Sequence, residues 1–267
     1  MNFIKYAKKS LGQNFLIDQN IINKIVKIAD IKNKTIMEIG SGNGNLTKKI
    51  MEMNPKKLYA IEKDKNLSLI LKNKFKNYKN IKIINDDILN IIKNKNIDKN
   101  IIVIGNLPYN ISTQILAYLM LIKKWPPWYK MLILMFQKEV ADRITAQENT
   151  KEYGRLAILC NWKMKITKHF DVSKNCFFPK PKIKSSVLSF TPKENTKFQI
   201  KNPKNLEKVT RILFSNRRKI INKNFLKLFE NNVSVAEELN INLKQRPGEL
   251  SKETFYNIAM KYENLFS

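Results

Sequence analysis

Cysteine and histidine are scarce in this chain of 267 residues, which has two cysteines and one histidine. Two cysteines do not make a disulfide framework, and one histidine cannot support a histidine-rich site, so a zinc site is not expected. Glycine and proline number only seven and nine, which excludes collagen-like and low-complexity disordered classes. The longest apolar run has eight residues, whereas a membrane-spanning helix needs roughly 18. The composition predicts a soluble globular protein.

Acidic residues are also few, with 22 Asp and Glu against 50 Lys and Arg and a net charge of +28. Only six of the basic residues are arginine. Lys, Asn and Ile are abundant and share A/T-rich codons, so genome composition is one source of the excess. The positive potential still favours encounters with polyanions, above all nucleic acid. Residues 1–9 lack the apolar segment of a signal peptide, so we expect a cytoplasmic protein with no membrane partner.

Short isoleucine-rich runs alternate with helical patterns along the first 190 residues. This alternation predicts an α/β protein with a doubly wound parallel sheet. The predicted strands are 35–39, 58–61, 81–84, 101–104 and 131–136, with two more near 165–172 and 185–190. The predicted helices between them are 45–53, 65–75 and 112–122.

The last third of the chain has a different pattern. Residues 192–205 are rich in Pro, Lys and Asn and are predicted to form a linker. Helical patterns follow at 206–214, 217–229 and 251–263, and in the first of them apolar residues recur every three or four positions, as on one buried helix face. We therefore expect a Rossmann-like domain over residues 1–191 and a small all-helical domain over residues 206–267.

A glycine-rich turn follows the first predicted strand, with Gly40, Gly42 and Gly44 in a G-x-G-x-G spacing. Such glycines let the backbone turn tightly and approach a ligand, but the spacing departs from the G-x-G-x-x-G of nicotinamide-binding folds. Glu62 ends the second strand, where it can accept hydrogen bonds from both ribose hydroxyls. Asp87 follows the third strand, where it can accept from an adenine amino group. Together these features indicate an adenosine without phosphates, hence S-adenosylmethionine.

The segment 105–110 reads Gly-Asn-Leu-Pro-Tyr-Asn and follows the fourth predicted strand, at the edge where such sheets bind ligands. The exocyclic nitrogen of adenine is a poor nucleophile because its lone pair is delocalised into the ring. The Asn106 side-chain oxygen and the Leu107 carbonyl can accept its N–H bonds and stabilise the positive charge that develops as it attacks a methyl sulfonium. Pro108 stiffens the loop, and the Tyr109 ring holds the base in line.

Several ordered blocks make the chain resemble one family across nearly its whole length, the KsgA-type ribosomal RNA small-subunit adenine N6,N6-dimethyltransferases. The blocks are Lys-Lys-Ser-Leu-Gly-Gln-Asn-Phe-Leu at 8–16, the loop at 105–112, Met-Phe-Gln-Lys-Glu-Val-Ala at 135–141, Tyr-Gly-Arg-Leu at 153–156 and Phe-Phe-Pro-Lys-Pro-Lys-Ile at 177–183. One departure is Ser41, where the family usually has proline; a serine fits a glycine turn.

The resemblance implies an S-adenosylmethionine-dependent enzyme without a metal. Its expected reaction is N6-dimethylation of two adjacent adenines in a hairpin near the 3′ end of 16S rRNA during ribosome biogenesis. The expected partner is small-subunit rRNA or an assembling small subunit, and the expected oligomeric state is a monomer.

The resemblance also implies roles for residues at matched positions. Asn14 and Leu16 close over the cofactor, and Tyr109 and Phe177 flank the extruded adenine. The rest of the cofactor pocket is formed by Gly40, Gly42, Glu62, Asp87 and Asn106. Asp86 lies next to Asp87, and Asp87 is chosen because it aligns with the family's single acid.

Basic residues form a further set of candidates, for contacts with RNA phosphates. They are Lys8, Lys9, Lys180, Lys182, Arg217, Arg218 and Lys219. For any single lysine in so lysine-rich a chain, an ordinary solvated position is the alternative interpretation. Arg217 and Arg218 stand out because arginine is scarce here and its planar fork suits bidentate phosphate contact.

Other functions stay open at this point. A 23S rRNA adenine N6-methyltransferase of the macrolide-resistance type shares the fold and a similar loop, although the blocks at 12–16 and 217–219 favour the small-subunit enzyme. A non-catalytic nucleic-acid-binding factor of the same fold is another alternative, against which the intact 106–109 loop and the glycine turn count. A DNA adenine methyltransferase would share the Asn-Leu-Pro-Tyr tetrapeptide at 106–109 but not the flanking blocks.

Overall fold

The computed structural model describes residues 12–93, 97–195 and 197–266. The strands of these residues form two sheets. A short antiparallel pair consists of β1 (Phe15–Leu16) and β8 (Phe177–Phe178). The large sheet consists of β2 (Thr35–Ile39), β3 (Lys57–Ile61), β4 (Ile81–Ile84), β5 (Ile101–Asn106), β6 (Tyr129–Gln137), β7 (Met164–Val172) and β9 (Ser185–Pro192). All seven predicted strands are confirmed, with ends shifted by no more than two residues.

The strand order of the large sheet is β4-β3-β2-β5-β6-β9-β7. Strands β2 to β6 run parallel, and β9 pairs with β6 antiparallel. The order reverses between β2 and β5, and open sheets bind ligands at the carboxyl ends of strands at such a point. The register brings Ile39 level with both Ile61 and Gly105, so the ends of three strands meet at one level.

The first six helices of the described chain lie between these strands. They are α1 (Gln19–Val26), α2 (Asn45–Glu52), α3 (Lys65–Lys74), α4 (Ile88–Lys93), α5 (Ser112–Met120) and α6 (Lys138–Thr145). Helix α3 begins at an aspartate cap, because the Asp64 carboxylate accepts from the amides of Asn66 and Leu67 at 2.9 and 3.2 Å. Apolar residues of α1 and α2 pack in one buried cluster with β2, β5 and β6.

A second group of helices comprises α7 (Arg155–Lys163), α8 (Pro203–Leu213), α9 (Asn222–Leu228), α10 (Ser234–Glu238) and α11 (Lys252–Phe266). Their shared core holds Leu206, Val209 and Leu213, which confirms the predicted buried face of α8. Helix α8 starts within the stretch expected to be a linker, since the Asn202 side chain caps it and Pro203 occupies its first position.

The helix predicted over residues 217–229 is wrong in its first part, because α9 begins only at Asn222. Residues 215–220 are all exposed, and Ile221 is the first buried residue of this stretch. The earlier residues have no apolar face to bury, so tertiary packing does not hold them in a helix. They form a turn in which the Lys219 amide donates to the Asn216 carbonyl.

The chain divides into two compact units. The first unit contains the residues up to 119, residues 126–141 and residues 167–192. The second unit contains residues 120–125, residues 142–166 and the residues from 193 onward. The second unit thus includes α7 together with the C-terminal helices, while the domain boundaries at 191 and 206 remain a prediction. Within the described ranges no helix is long and apolar enough to span a membrane.

Candidate active site at the carboxyl ends of the parallel strands

A cavity of about 220 Å³ opens where β2, β3, β4 and β5 end. The structure brings ten of the predicted cofactor and catalytic residues together around it. They are Asn14, Leu16, Gly40, Gly42, Glu62, Asp87, Asn106, Leu107, Pro108 and Tyr109. The residues come from five separate stretches of the chain, and the strand register places them side by side.

The glycine turn forms the floor between β2 and α2. Gly40, Gly42 and Gly44 all have positive φ, at 73°, 53° and 77°, which L-residues with a side chain rarely adopt. A Cβ at Gly40 would stand 3.7 Å from the Asn106 carbonyl oxygen and 3.9 Å from Pro108 Cδ. The missing side chain therefore keeps the space between the turn and the 105–110 loop open.

Glu62 is held rigidly at the end of β3. Its two carboxylate oxygens accept from the amides of Gly42 and Asp64, each at 2.8 Å, and the residue is buried. Burial raises the pKa of Glu62, and these backbone hydrogen bonds oppose the rise. A carboxylate has about four lone-pair positions, so the two amides leave acceptor capacity on the cavity side.

Asp86 and Asp87 both line the cavity after β4. Asp87 accepts from the Leu89 amide and from the Lys63 ammonium, each at 2.9 Å. Burial works to raise the pKa of Asp87, but these two donors outweigh it and hold the pKa below its usual range. Asp86 instead accepts from the Asn90 side chain at 3.0 Å. The choice of Asp87 as the adenine-reading acid stays a prediction.

Asn106 is oriented by a contact across 92 residues of sequence. Its side-chain Nδ2 donates to the Asn14 carbonyl oxygen at 2.8 Å, which uses the donor end of the amide and turns Oδ1 to the other side. The Asn14 segment is itself fixed, since Asn45 of α2 donates to the Leu16 carbonyl at 3.0 Å. The Asn106 side-chain oxygen, the expected acceptor for the substrate amine, is thus pre-oriented.

Tyr109 and the rest of the loop are anchored to β9 and α5. The Tyr109 hydroxyl lies 2.6 Å from Ser185 Oγ, and burial raises the pKa of Tyr109. The Ser112 hydroxyl donates to the Tyr109 carbonyl at 3.2 Å. Leu107 is buried, whereas Pro108 is half-buried at the cavity wall. These contacts hold the tyrosine side chain in one position.

Phe177 is placed differently from the other predicted residues. It is 3% exposed, packs in the core cluster that also holds Leu16, and is not among the residues lining the cavity. Its expected role beside the target base stays a prediction, and that role requires the ring to become accessible.

Glu38 is the residue that sequence reasoning missed. It lines the cavity at the end of β2, is 1% exposed, and accepts from the Thr47 hydroxyl at 2.6 Å. Burial raises the pKa of Glu38 to about 7, although Thr47 and Ser41 both lower it. A sequence signal was available, because Glu38 stands two residues before Gly40 of the glycine turn. Its raised pKa depends on burial, however, and no local sequence pattern shows that burial.

The candidate RNA-binding residues that the structure describes do not line the cavity. Lys8 and Lys9 fall outside the described residues, and Lys180, Lys182, Arg218 and Lys219 are exposed. Arg217 is exposed too, but its guanidinium donates to the carbonyl oxygens of Thr150 and Lys151, so part of it has a structural role. In the part of the chain that the structure covers, no group of His, Cys, Asp or Glu side chains is placed to hold a metal ion.

A largely parallel sheet whose order reverses beside a glycine turn, with acids at the next two strand ends, defines a Rossmann-like nucleotide-binding fold. A family model described as ribosomal RNA adenine dimethylase matches residues 4–264. "Ribosomal RNA small subunit methyltransferase A" of Pelagibacter ubique is 52% identical over 98% of this chain and 99% of its own length. The protein of the same name from a Wolbachia of Drosophila simulans is 40% identical over 99% and 96%. The chain belongs to the ribosomal RNA adenine dimethylase family.

Solved structures agree with this fold. A dimethyladenosine transferase from Plasmodium falciparum is similar with a TM-score of 0.78 and 28% identity, over 94% of this chain and 98% of that one. The 23S rRNA methyltransferase ErmE is similar with a TM-score of 0.69, over 94% of this chain and 100% of that one. Its sequence identity is 18%, so this similarity supports the fold alone. The expectations of a Rossmann-like α/β fold and of an rRNA adenine dimethyltransferase are confirmed.

Proposed function

We propose that the chain transfers methyl groups from S-adenosylmethionine to the N6 amines of two adjacent adenines, in a hairpin near the 3′ end of 16S rRNA. The observation that carries this proposal is the convergence of the glycine turn, Glu62 and the pre-oriented Asn106 on one cavity. The names of the two similar relatives support small-subunit rRNA over large-subunit rRNA as the substrate. We further propose that the enzyme acts as a monomer in the cytoplasm, on naked rRNA or on an assembling subunit.

The cavity residues fit an adenosine that carries no phosphate. Glu62 keeps acceptor capacity for ribose hydroxyls after binding two backbone amides. Gly40 leaves space that any Cβ would take up next to Asn106. Asp87 would accept from the adenine amino group, while Asn14 and Leu16 would cover the cofactor from the side of β1. Two acids at this rim would repel a polyphosphate, which agrees with a phosphate-free ligand.

S-adenosylmethionine, when bound, supplies a methyl group on a positively charged sulfur. The protein's part is to hold the target amine and to stabilise the charge that grows on it. Asn106 Oδ1 and the Leu107 carbonyl would accept the two N–H bonds of that amine, an interaction that strengthens as the nitrogen becomes positive. No side-chain base is needed, because the resulting ammonium loses its proton readily to water.

The target adenine must leave its base stack to reach the cavity. The Tyr109 ring, anchored through Ser185, would support one face of the base. Phe177 would support the other face after a local rearrangement that exposes its ring. The exposed basic residues Lys180, Lys182, Arg218 and Lys219 would contact phosphates, with Arg217 contributing only what its backbone contacts leave available.

The decisive test supplies the protein with radiolabelled S-adenosylmethionine and two acceptors, immature small subunits and large subunits from an unmethylated strain. Dimethyladenine mapped by mass spectrometry to a small-subunit hairpin is the expected result. Label in the large subunit would select the resistance-type enzyme. Absence of label from both acceptors, with the protein still bound to RNA, would favour a non-catalytic factor.

A further inference from the structure

Strand β8 of the small sheet places its two aromatic residues, Phe177 and Phe178, on opposite faces. Phe177 is 3% exposed and belongs to the core cluster, whereas Phe178 is 37% exposed. Successive strand residues point to opposite faces, so one ring stabilises the fold and the other faces solvent. A single exposed phenylalanine is ordinary, and its surroundings decide whether it has a function.

The exposed face of this sheet adjoins the cavity. Phe178 pairs directly with Phe15, and directly opposed residues of an antiparallel pair have side chains on the same face with Cβ atoms about 5 Å apart. Phe15 lines the cavity, and its ring lies against the glycine turn, where a Cβ at Gly42 would come within 2.9 Å of it. Phe178 therefore stands beside the rim of the proposed active site.

The segment around Phe178 is strongly basic. Residues 174–184 contain four lysines, all exposed, and no acid: Lys174, Lys180, Lys182 and Lys184. Ile183 and, on the paired segment, Ile17 are exposed as well. An exposed aromatic ring among cations is the combination with which proteins hold unpaired nucleotides, since the ring stacks on a base and the lysines neutralise phosphates.

We propose that Phe178 is a stacking contact for an RNA base that flanks the methylated adenines, and that Lys180 and Lys182 neutralise the phosphates next to that base. This inference rests on the proposed function, because only RNA whose adenines are methylated at the cavity would bring a flanking base to this rim. The four exposed lysines outnumber Asp18 of the paired segment, whose carboxylate lies 3.6 Å from Cys176 Sγ, so the net positive charge fits a polyanion. An aromatic ring beside a base-binding cavity fits RNA rather than an acidic peptide.

The test compares three variants of the full-length protein, Phe178→Ala, Phe178→Leu and Phe178→Trp. The probe is a hairpin RNA with adjacent loop adenines, in which 2-aminopurine replaces each flanking base in turn. Loss of one stacked base is expected to weaken binding about 5- to 100-fold in the Ala and Leu variants, whereas Trp binds like the wild type. Quenching of one 2-aminopurine position should persist with Trp and disappear with Leu.

A matched control is Tyr118→Ala, because Tyr118 is 38% exposed but is outside this sheet. It should bind RNA like the wild type, and all variants should bind S-adenosylhomocysteine equally. Equal RNA binding by wild type and Phe178→Ala, or by the Leu and Trp variants, would overturn the stacking contact alone. A Phe178→Ala variant that binds anionic lipid vesicles more weakly than the wild type, but binds RNA equally well, would also overturn it. Wild-type protein that binds no RNA would overturn the proposed function itself.

Discussion

Glu62 and Arg218 are both charged side chains that the sequence singles out, but their surroundings differ. Glu62 is buried, and two backbone amides at 2.8 Å fix its carboxylate at the cavity. Arg218 is exposed in a turn where every residue from 215 to 220 is exposed. The cavity groups are pre-oriented, so replacing a single one should strongly reduce turnover or cofactor binding. Exposed basic residues such as Arg218 contribute to RNA affinity mainly through their summed charge, so replacing a single one should change that affinity little.

Asn106→Ala should show the largest effect of any change in the cavity. Turnover should fall by at least about 100-fold, since a pre-oriented acceptor for the developing charge is lost, while RNA binding changes little. Single-turnover methylation and an RNA titration on the same preparation would measure both quantities.

Asn80→Ala is a suitable control for Asn106→Ala. Asn80 also donates its side-chain N–H to one backbone carbonyl, that of Pro55, at 2.8 Å, but it does not line the cavity. It should keep full turnover. Equal losses of RNA binding and of turnover in Asn106→Ala would contradict a role limited to the transition state.

Glu38→Gln should change the pH dependence of stability. The folded pKa of about 7 exceeds the ordinary 4.5, so the folded protein holds this proton more tightly than the unfolded chain does. The stabilisation is complete below pH 4.5 and is lost as the pH rises to about 7, a change of about 3 kcal/mol. Urea unfolding between pH 4.5 and 8 should therefore give a wild-type free energy that declines relative to the variant.

Glu52→Gln is the matching control for Glu38→Gln, because Glu52 is nearby on α2 but exposed, and its bonded partner Lys49 lowers its pKa. Because Glu52→Gln keeps Glu38, its free energy of unfolding should decline in parallel with that of the wild type between pH 4.5 and 8. Wild-type and Glu38→Gln curves that run parallel over the whole range would show that Glu38 is already ionised in the folded protein.

Glu62→Ala should weaken cofactor binding by about 1–3 kcal/mol, because the ribose hydroxyls lose an acceptor that is already in place. Isothermal titration with S-adenosylhomocysteine measures the effect, and thermal unfolding reports how much stability is lost with the two backbone hydrogen bonds. A dissociation constant equal to that of the wild type would remove Glu62 from the cofactor site.

Arg217→Ala combined with Arg218→Ala should have the smallest effect. Fewer phosphate contacts should flatten the salt dependence of RNA binding by about 1 in the log–log slope, with most of that due to Arg218 because Arg217 also bonds backbone carbonyls. Lys204→Ala with Arg211→Ala removes two exposed charges from α8 and serves as the control. The two double variants giving the same slope would place the arginine pair off the interface.

Much of the fold was predictable because its signals are local. Buried parallel strands appear as isoleucine runs, and all seven strands of the large sheet were found from them. Strands β1 and β8 were missed because two residues cannot show a period. Helix α1 was missed although it has a signal, since Asp18 caps it and Ile22, Ile25 and Val26 form its buried face.

The fold class, the family and ten residues around the cavity follow from the amino-acid sequence. Eight of the ten lie in short motifs at strand ends, which are brought together whenever a parallel sheet forms, and the family resemblance adds Asn14 and Leu16. The environment of each group depends instead on tertiary packing. The raised pKa of Glu38 comes from burial, and the Asn106 amide is turned by a carbonyl 92 residues away. The opposite exposures of Phe177 and Phe178 follow from the pairing of β8 with β1. Burial and long-range hydrogen bonds depend on which surfaces meet, and local sequence patterns do not contain that information.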